Sequence, residues 1–203
     1  VIPKFLNVVS CSKNCLEIPE VCPSCHEKLD IMDIRLICNN EKCAVKIKES
    51  ILYYLKKVGI EDISGKRLEE MINKGLVKEI SDLYRLDVSD FLKLEKVKEK
   101  LANKFYENIQ KSKKVELVDF ITALGVSGGA KNKTEKIAEH GFNTLEKFLK
   151  LKKTDLEEVE SFAEKSSQEF IKSWEKKKSI VQKLIDVGIK VLPYKKSQNT
   201  ESP

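Results

Sequence analysis

Histidine is scarce in this chain, two residues in 203, which leaves little room for histidine-based catalysis. Glycine and proline number eight and five, too few for a fibrous or disordered class. There is no run of about 18 apolar residues, which excludes a membrane-spanning helix and makes no membrane the expectation. The methionines are Met32 and Met71, and Val1-Ile2-Pro3-Lys4 is neither an initiator nor the charged start of a signal peptide. The chain therefore reads as a piece of something longer. Hydrophobic residues make up 41% and charged ones 34%, enough for a packed core in one or two domains.

Cysteine is absent after residue 43, yet six cysteines precede that point. A secreted disulfide scaffold would spread them through its fold. Clustering at one end reads as a metal site in a reducing compartment. Cys22-Pro-Ser-Cys25, twelve residues, then Cys38-Asn-Asn-Glu-Lys-Cys43 is C-x2-C-x12-C-x4-C. Each pair is a short knuckle that aims two thiolates at one point. Four thiolates at about 2.3 Å complete a tetrahedral Zn2+ shell and leave no position for substrate, so the site is expected to be structural. Metal binding would supply most of the folding energy of so small a module. Ile31, Ile34, Leu36 and Ile37 are expected to pack beneath the metal. Cys11 and Cys15 form C-x3-C and can compete for the ion; the expectation is that they are free thiols. His26 directly follows a ligand and is badly placed to be one.

The formal charge is +6, and four thiolates with one Zn2+ lower it by two. The rest is uneven. Lys93 to Lys114 holds eight lysines and three glutamates, and Lys165 to Lys196 nine lysines and three acids. A solvated helix face is the usual explanation for such runs, but here they lie within a repeat. Residues 89–100 align with 154–165 at an offset of 65, with Asp90/Asp155, Glu95/Glu160, Glu99/Glu164, Lys100/Lys165 and Phe105/Phe170 identical. Ser89 and Thr154 read as helix N-caps, Thr154 with Glu157 as a capping box. Breaks recur at Gly65, Lys98, Ala130 and Ala163, spaced by 33, 32 and 33. Four units of short helix, tight hairpin and longer helix are the natural reading.

In such a unit the turn feeds the N-terminus of the second helix, whose unpaired N–H groups can bind a phosphate oxygen. A lysine just beyond adds a point charge, and glycine lets the backbone approach closely. These contacts hold the sugar-phosphate backbone without reading sequence. The candidates are Ser64, Gly65 and Lys66 in the first turn, Lys98 and Lys100 in the second, Gly128, Gly129 and Lys131 in the third, and Lys165 in the fourth. Glu99 and Glu164 follow their turns directly and would oppose a phosphate unless turned away.

These residues resemble the C-terminal half of bacterial NAD+-dependent DNA ligases. Val1-Ile2-Pro3-Lys4 is similar to the end of that family's OB domain, and the four cysteines are similar to its zinc finger. Gly75-Leu-Val-Lys-Glu-Ile-Ser-Asp-Leu-Tyr-Arg-Leu86, Leu94-Glu-Lys-Val-Lys-Glu-Lys100, Ala123-Leu-Gly-Val126 and Leu156-Glu-Glu-Val-Glu160 resemble further landmarks, in order. The resemblance covers about residues 1–190. It implies an enzyme that seals nicks in duplex DNA during replication and repair. Such an enzyme uses NAD+ to adenylate a lysine and Mg2+ in the joining step. This chain has no Lys-x-Asp-Gly adenylation motif, so no catalytic residue is assigned in it, and alone it is expected to be inactive. No BRCT domain of that family is expected within these residues, and several hairpin glycines are replaced, by Lys98, Ala130, Ser161 and Ala163.

The expectation is a mainly α fold, a small four-cysteine zinc module followed by a tandem helix-hairpin-helix domain. The boundaries are 1–20 for the end of the OB domain and linker, 21–47 for the zinc finger, 48–190 for four helix-hairpin-helix repeats, and 191–203 for a polar tail. Expected partners are duplex DNA, nicked above all, and the parent's adenylation and OB domains, in the bacterial cytoplasm beside the nucleoid. A noncatalytic helical protein-interaction module with weakened DNA binding is the alternative.

Overall fold

The computed structural model describes residues 6–7 and 18–196. The expectations for Val1–Lys4, for Cys11 and Cys15, and for the tail beyond Lys196 lie outside the described residues. The chain divides into two units, Val1–Ala44 and Val45–Pro203.

In the first unit, β1 (Leu29–Met32) and β2 (Arg35–Cys38) pair antiparallel, with Leu29 opposite Cys38 and Met32 opposite Arg35. The two-residue connection, Asp33-Ile34, places Asp33 at φ 55°, a left-handed conformation that aspartate tolerates. Upstream, Cys22 N–H donates to Glu27 O at 2.8 Å, and His26 N–H donates to Cys22 O at 2.9 Å. That ties Cys22–Cys25 into a tight knuckle with His26 at φ 60°. The expected apolar packing beneath the metal is not found at three of its four positions, and Ile37 is half-buried. Ile31, Ile34 and Leu36 are 70%, 98% and 39% exposed. Ribbon strands of four residues bury little, and among the described residues of this unit no further strand or helix is packed on the ribbon.

The second unit is helical. Its elements are α1 (Ala44–Lys57), α2 (Gly65–Asn73), a 3₁₀ turn (Ile80–Arg85), α3 (Val88–Leu92), α4 (Glu99–Lys111), β3 (Lys114–Glu116), α5 (Leu117–Ala123), α6 (Lys131–Glu139), α7 (Leu145–Leu149), α8 (Lys153–Glu157), α9 (Glu164–Asp186) and β4 (Lys190–Leu192). The mainly α expectation holds. Within it, α1–α2, α3–α4, α5–α6 and α8–α9 form four helix–turn–helix pairs.

A shared burial pattern explains the repetition. The residue before each second helix's N-cap is buried: Ile63, Val97, Gly129 and Phe162. Four residues after the cap come Leu68, Ala102, Thr134 and Ser167; seven after it come Met71, Phe105, Ile137 and Phe170, all buried. Spacings of four and three put these side chains on one stripe of each helix. Small Ala102, Thr134 and Ser167 let the partner helix come close. At Gly129 an added Cβ would meet Val126 O at 3.0 Å and the Phe170 ring at 3.3 Å, so glycine is required there.

Two aromatic clusters fill the unit. Phe148 meets Trp174 edge-on at 5.2 Å, and Phe162 meets Phe170 at 5.6 Å. In the other half Phe91 packs on Phe105 at 5.7 Å. There the buried Tyr54 and Tyr84 hydroxyls lie 2.9 Å apart, and Tyr84 continues to Ser112 Oγ at 3.0 Å. The halves are joined by β4, which pairs parallel with β3, and by Lys183 on α9, which reaches Glu79 before the 3₁₀ turn.

The expected N-caps shift by two residues. The N-cap of α3 is Asp87, not Ser89, and that of α8 is Lys152, not Thr154. Asp87 N–H donates to Asp90 at 3.1 Å, and Lys152 N–H donates to Asp155 at 2.8 Å. The repeated aspartate at the third helical position reaches back to the entering chain and sets the start.

Candidate metal centre and nucleic-acid interface

The knuckle at Cys22–Cys25 and the β-hairpin ending at Cys38 bring four sulfurs together with Cys43, whose N–H donates to Asn40 O at 3.2 Å. All four Sγ atoms of Cys22, Cys25, Cys38 and Cys43 lie within 4.8 Å of one another. Cys22 and Cys43 are 4.0 Å apart, and Cys25 and Cys38 3.6 Å. A disulfide would need about 2.05 Å. A tetrahedral ion with sulfur at about 2.3 Å has S···S edges of about 3.8 Å, which these separations bracket. Cys22 and Cys43 are buried, and Cys25 and Cys38 half-buried.

The electrostatics suit a cation-binding site. The N–H groups of Cys25 and Ser24 hold the Cys22 thiol below its ordinary value. The Asn40 N–H favours the Cys38 thiolate, but loss of water and the Cys25 and Cys22 sulfurs outweigh it and push Cys38 up to about 11. Crowded thiols cannot all ionise side by side; a divalent ion among them reverses that. The four-cysteine cluster can hold a metal ion.

The four turns share an exposed N-cap, and the last three share a backbone conformation that the first lacks. Their N-caps are Ser64, Lys98, Ala130 and Ala163, and all four are exposed. The first turn is thus in register one residue earlier than Gly65, which is the first helical residue and has no left-handed backbone. Ser64 caps its own helix, accepting from Arg67 N–H at 3.3 Å. Lys98, Ala130 and Ala163 make no side-chain cap bond, so the first amides of α4, α6 and α9 lack the cap acceptor that Ser64 supplies to α2.

Two residues before the cap, Lys96, Gly128 and Ser161 share a left-handed φ of 57°, 72° and 76°. The turn geometry therefore survives without glycine at Lys96 and Ser161. The sequence reading placed Ser161 at a replaced hairpin glycine but missed Lys96, although its 32-residue spacing from Gly128 carries the signal.

The lysines divide. Lys66, Lys100 and Lys165 are all exposed and occupy the second helical position of α2, α4 and α9. Lys131 instead pairs with Asp119 of α5 at 2.9 Å, which raises its pKa. Glu164 turns to Lys153 at 3.1 Å, so its charge is met on the protein. Lys133 covers the Phe162 ring at 4.9 Å. The second turn has the densest positive charge, with Lys93, Lys96, Lys98 and Lys100 around it; of these Lys93 pairs with Asp90. Among the described residues no helix is long and apolar enough to cross a membrane.

No family model matches the chain. Curated proteins named DNA ligase do. That of Helicobacter pylori (strain P12) is 33% identical over 185 residues, covering 85% of this chain. That of Helicobacter acinonychis (strain Sheeba) is 32% identical over the same length. That of Methylacidiphilum infernorum is 34% identical over 131 residues, covering 64% of this chain. The chain spans 28% of the length of the Helicobacter relatives and 19% of the third. The resemblance to DNA ligases is borne out, and the shares covered fit a fragment of such a protein.

Proposed function

We propose that this chain is the DNA-binding C-terminal portion of an NAD+-dependent DNA ligase, a cytoplasmic enzyme that seals nicks in duplex DNA. The observation that carries the reading is the set of four exposed turns. Each opens a helix, and three place an exposed lysine at that helix's second position. Helix N-termini with adjacent lysines are suited to phosphate oxygens. In this reading the pairs are helix-hairpin-helix units spanning 48–190, and 21–47 is a zinc finger held by Cys22, Cys25, Cys38 and Cys43. Zn2+ would be structural, its shell closed by the four thiolates. Adenylation with NAD+ and Mg2+-dependent joining would belong to other parts of the parent, since this chain has no adenylation-lysine motif.

Fluorescence anisotropy with a labelled nicked duplex tests the reading at two salt concentrations. Binding should show little sequence preference and weaken steeply with salt, because each neutralised phosphate releases counterions. Salt-independent binding, or none at low salt, rejects it. The Lys131–Asp119 pair and the Ser64 cap favour a second reading, a helical module that docks a protein surface. Lys66→Ala with Lys131→Ala separates the two. A large loss of DNA affinity supports the first; unchanged affinity supports the second.

A further inference from the structure

The turns do not stand alone. Each is gripped by the second helix of the neighbouring pair. Glu70 on α2 accepts from the Glu95 N–H in the second turn at 2.6 Å, while Arg67 donates to the Glu95 carbonyl at 2.7 Å. Arg67 also donates to Glu70 at 2.9 Å, which fixes both side chains. In return, Lys104 and Asn108 on α4 hold Asp62 in the first turn. The other half repeats the device. Ser173 on α9 accepts from the Ser127 N–H of the third turn at 2.9 Å. Lys136 on α6 holds Ser161 Oγ and Glu160 of the fourth at 2.9 and 3.1 Å. Each side therefore braces the other, first turn with second and third with fourth.

We propose that Glu70 is a positioning residue for the second turn, holding its backbone in the conformation that meets DNA; this rests on the DNA-binding reading. Glu70 sits one residue before Lys96 in space through the Glu95 backbone. Lys96 carries the left-handed φ that aims the Lys98 N-cap. Freeing Glu95 releases a strained turn beside Lys96, Lys98 and Lys100. The Glu95 N–H, followed by Arg67, favours the ionised Glu70, so the brace is charged when it holds.

Charge and position make opposite predictions. Replacing Glu70 removes a negative charge near a polyanion, which by simple electrostatics tightens binding. As a positioning residue, its loss weakens binding. Anisotropy on the full 203-residue chain with a labelled nicked duplex compares wild type, Glu70→Ala, Glu70→Gln and Lys100→Ala. Glu70→Ala should bind about three- to tenfold more weakly, the order of one hydrogen bond. Glu70→Gln keeps an oxygen for the Glu95 N–H and should lose less, though it loses the same charge. Lys100→Ala should lower the salt slope by about one, and Glu70→Ala should leave it unchanged. Amide exchange in Glu70→Ala should rise at residues 95–98, with Trp174 emission as the folding control. Should Glu70→Ala not fold, Glu70→Gln still binds more weakly than wild type if the proposal holds. Equal or tighter binding by the folded variants overturns it. A wild-type chain that does not bind at low salt overturns the DNA reading, and this proposal with it.

Discussion

In the Val1–Ala44 unit Ile34 is 98% exposed, whereas in the Val45–Pro203 unit Trp174, Phe148 and Phe170 have no exposure. One region leaves Ile31, Met32 and Ile34 in water and converges four sulfurs; the other buries aromatics on a repeated stripe. Burial worth about 25 cal/mol per Å2 of apolar surface can hold the second region. It cannot hold the first, where the strands bury little and the sulfur cluster is the organising feature. The lesson is that the two parts of one chain are stabilised by different chemistry and should fail independently.

The largest effect should come from the sulfurs. Chelation, or Cys43→Ser, should remove of the order of 10 kcal/mol of metal-binding free energy. Amide protection across β1 and β2 should vanish, while emission from Trp174, which lies in the helical unit, stays unchanged. A concurrent change in Trp174 emission would show that the units are not independent.

The converse is Trp174→Ala. It removes a ring packed on Phe148 and an indole N–H donated to Phe148 O at 3.2 Å. The cost should be about 3–5 kcal/mol, read by urea unfolding of the helical signal. Thiolate-to-cobalt absorption, reporting the cysteine cluster loaded with Co2+, should persist.

Smaller changes test the packing of the helical unit. Thr122 Oγ1 is buried with no hydrogen-bond partner. Thr122→Val should therefore raise stability by about 1 kcal/mol in the same unfolding assay. The smallest effect concerns the join between the halves. The Lys183 ammonium, and then the Ser81 hydroxyl, hold Glu79 below the usual glutamate range. Its contribution is present above the unfolded value of about 4.3 and is lost as pH falls through the lower folded value. With the two side chains 49% and 37% exposed, it should stay under about 1 kcal/mol. Lys183→Met should flatten that part of the stability profile between pH 5 and about 3.

The cysteine spacing was legible because two short knuckles constrain four sulfurs locally. The repeat was legible because the inward positions recur at a constant interval, as Phe105 and Phe170 show. The turn register was read one residue late at Gly65, because glycine drew the alignment, whereas the shared feature is the buried residue ahead of the cap. Ser89 and Thr154 looked like caps by residue type; the carboxylates of Asp90 and Asp155 decided the helix starts. The packing assigned to Ile31, Ile34 and Leu36 followed from hydrophobicity alone, and a ribbon of two four-residue strands does not supply it.

What the amino-acid order determined unaided was local and periodic: a sulfur cluster from residues 22 to 43, and helix pairs about 33 residues apart. Only the tertiary structure decided which lysines remain exposed and which turns are braced. Glu70 meets Glu95 across 25 residues, and Lys183 meets Glu79 across 104. Partners that distant in the chain are chosen by how the helices pack, and no short-range pattern encodes that choice.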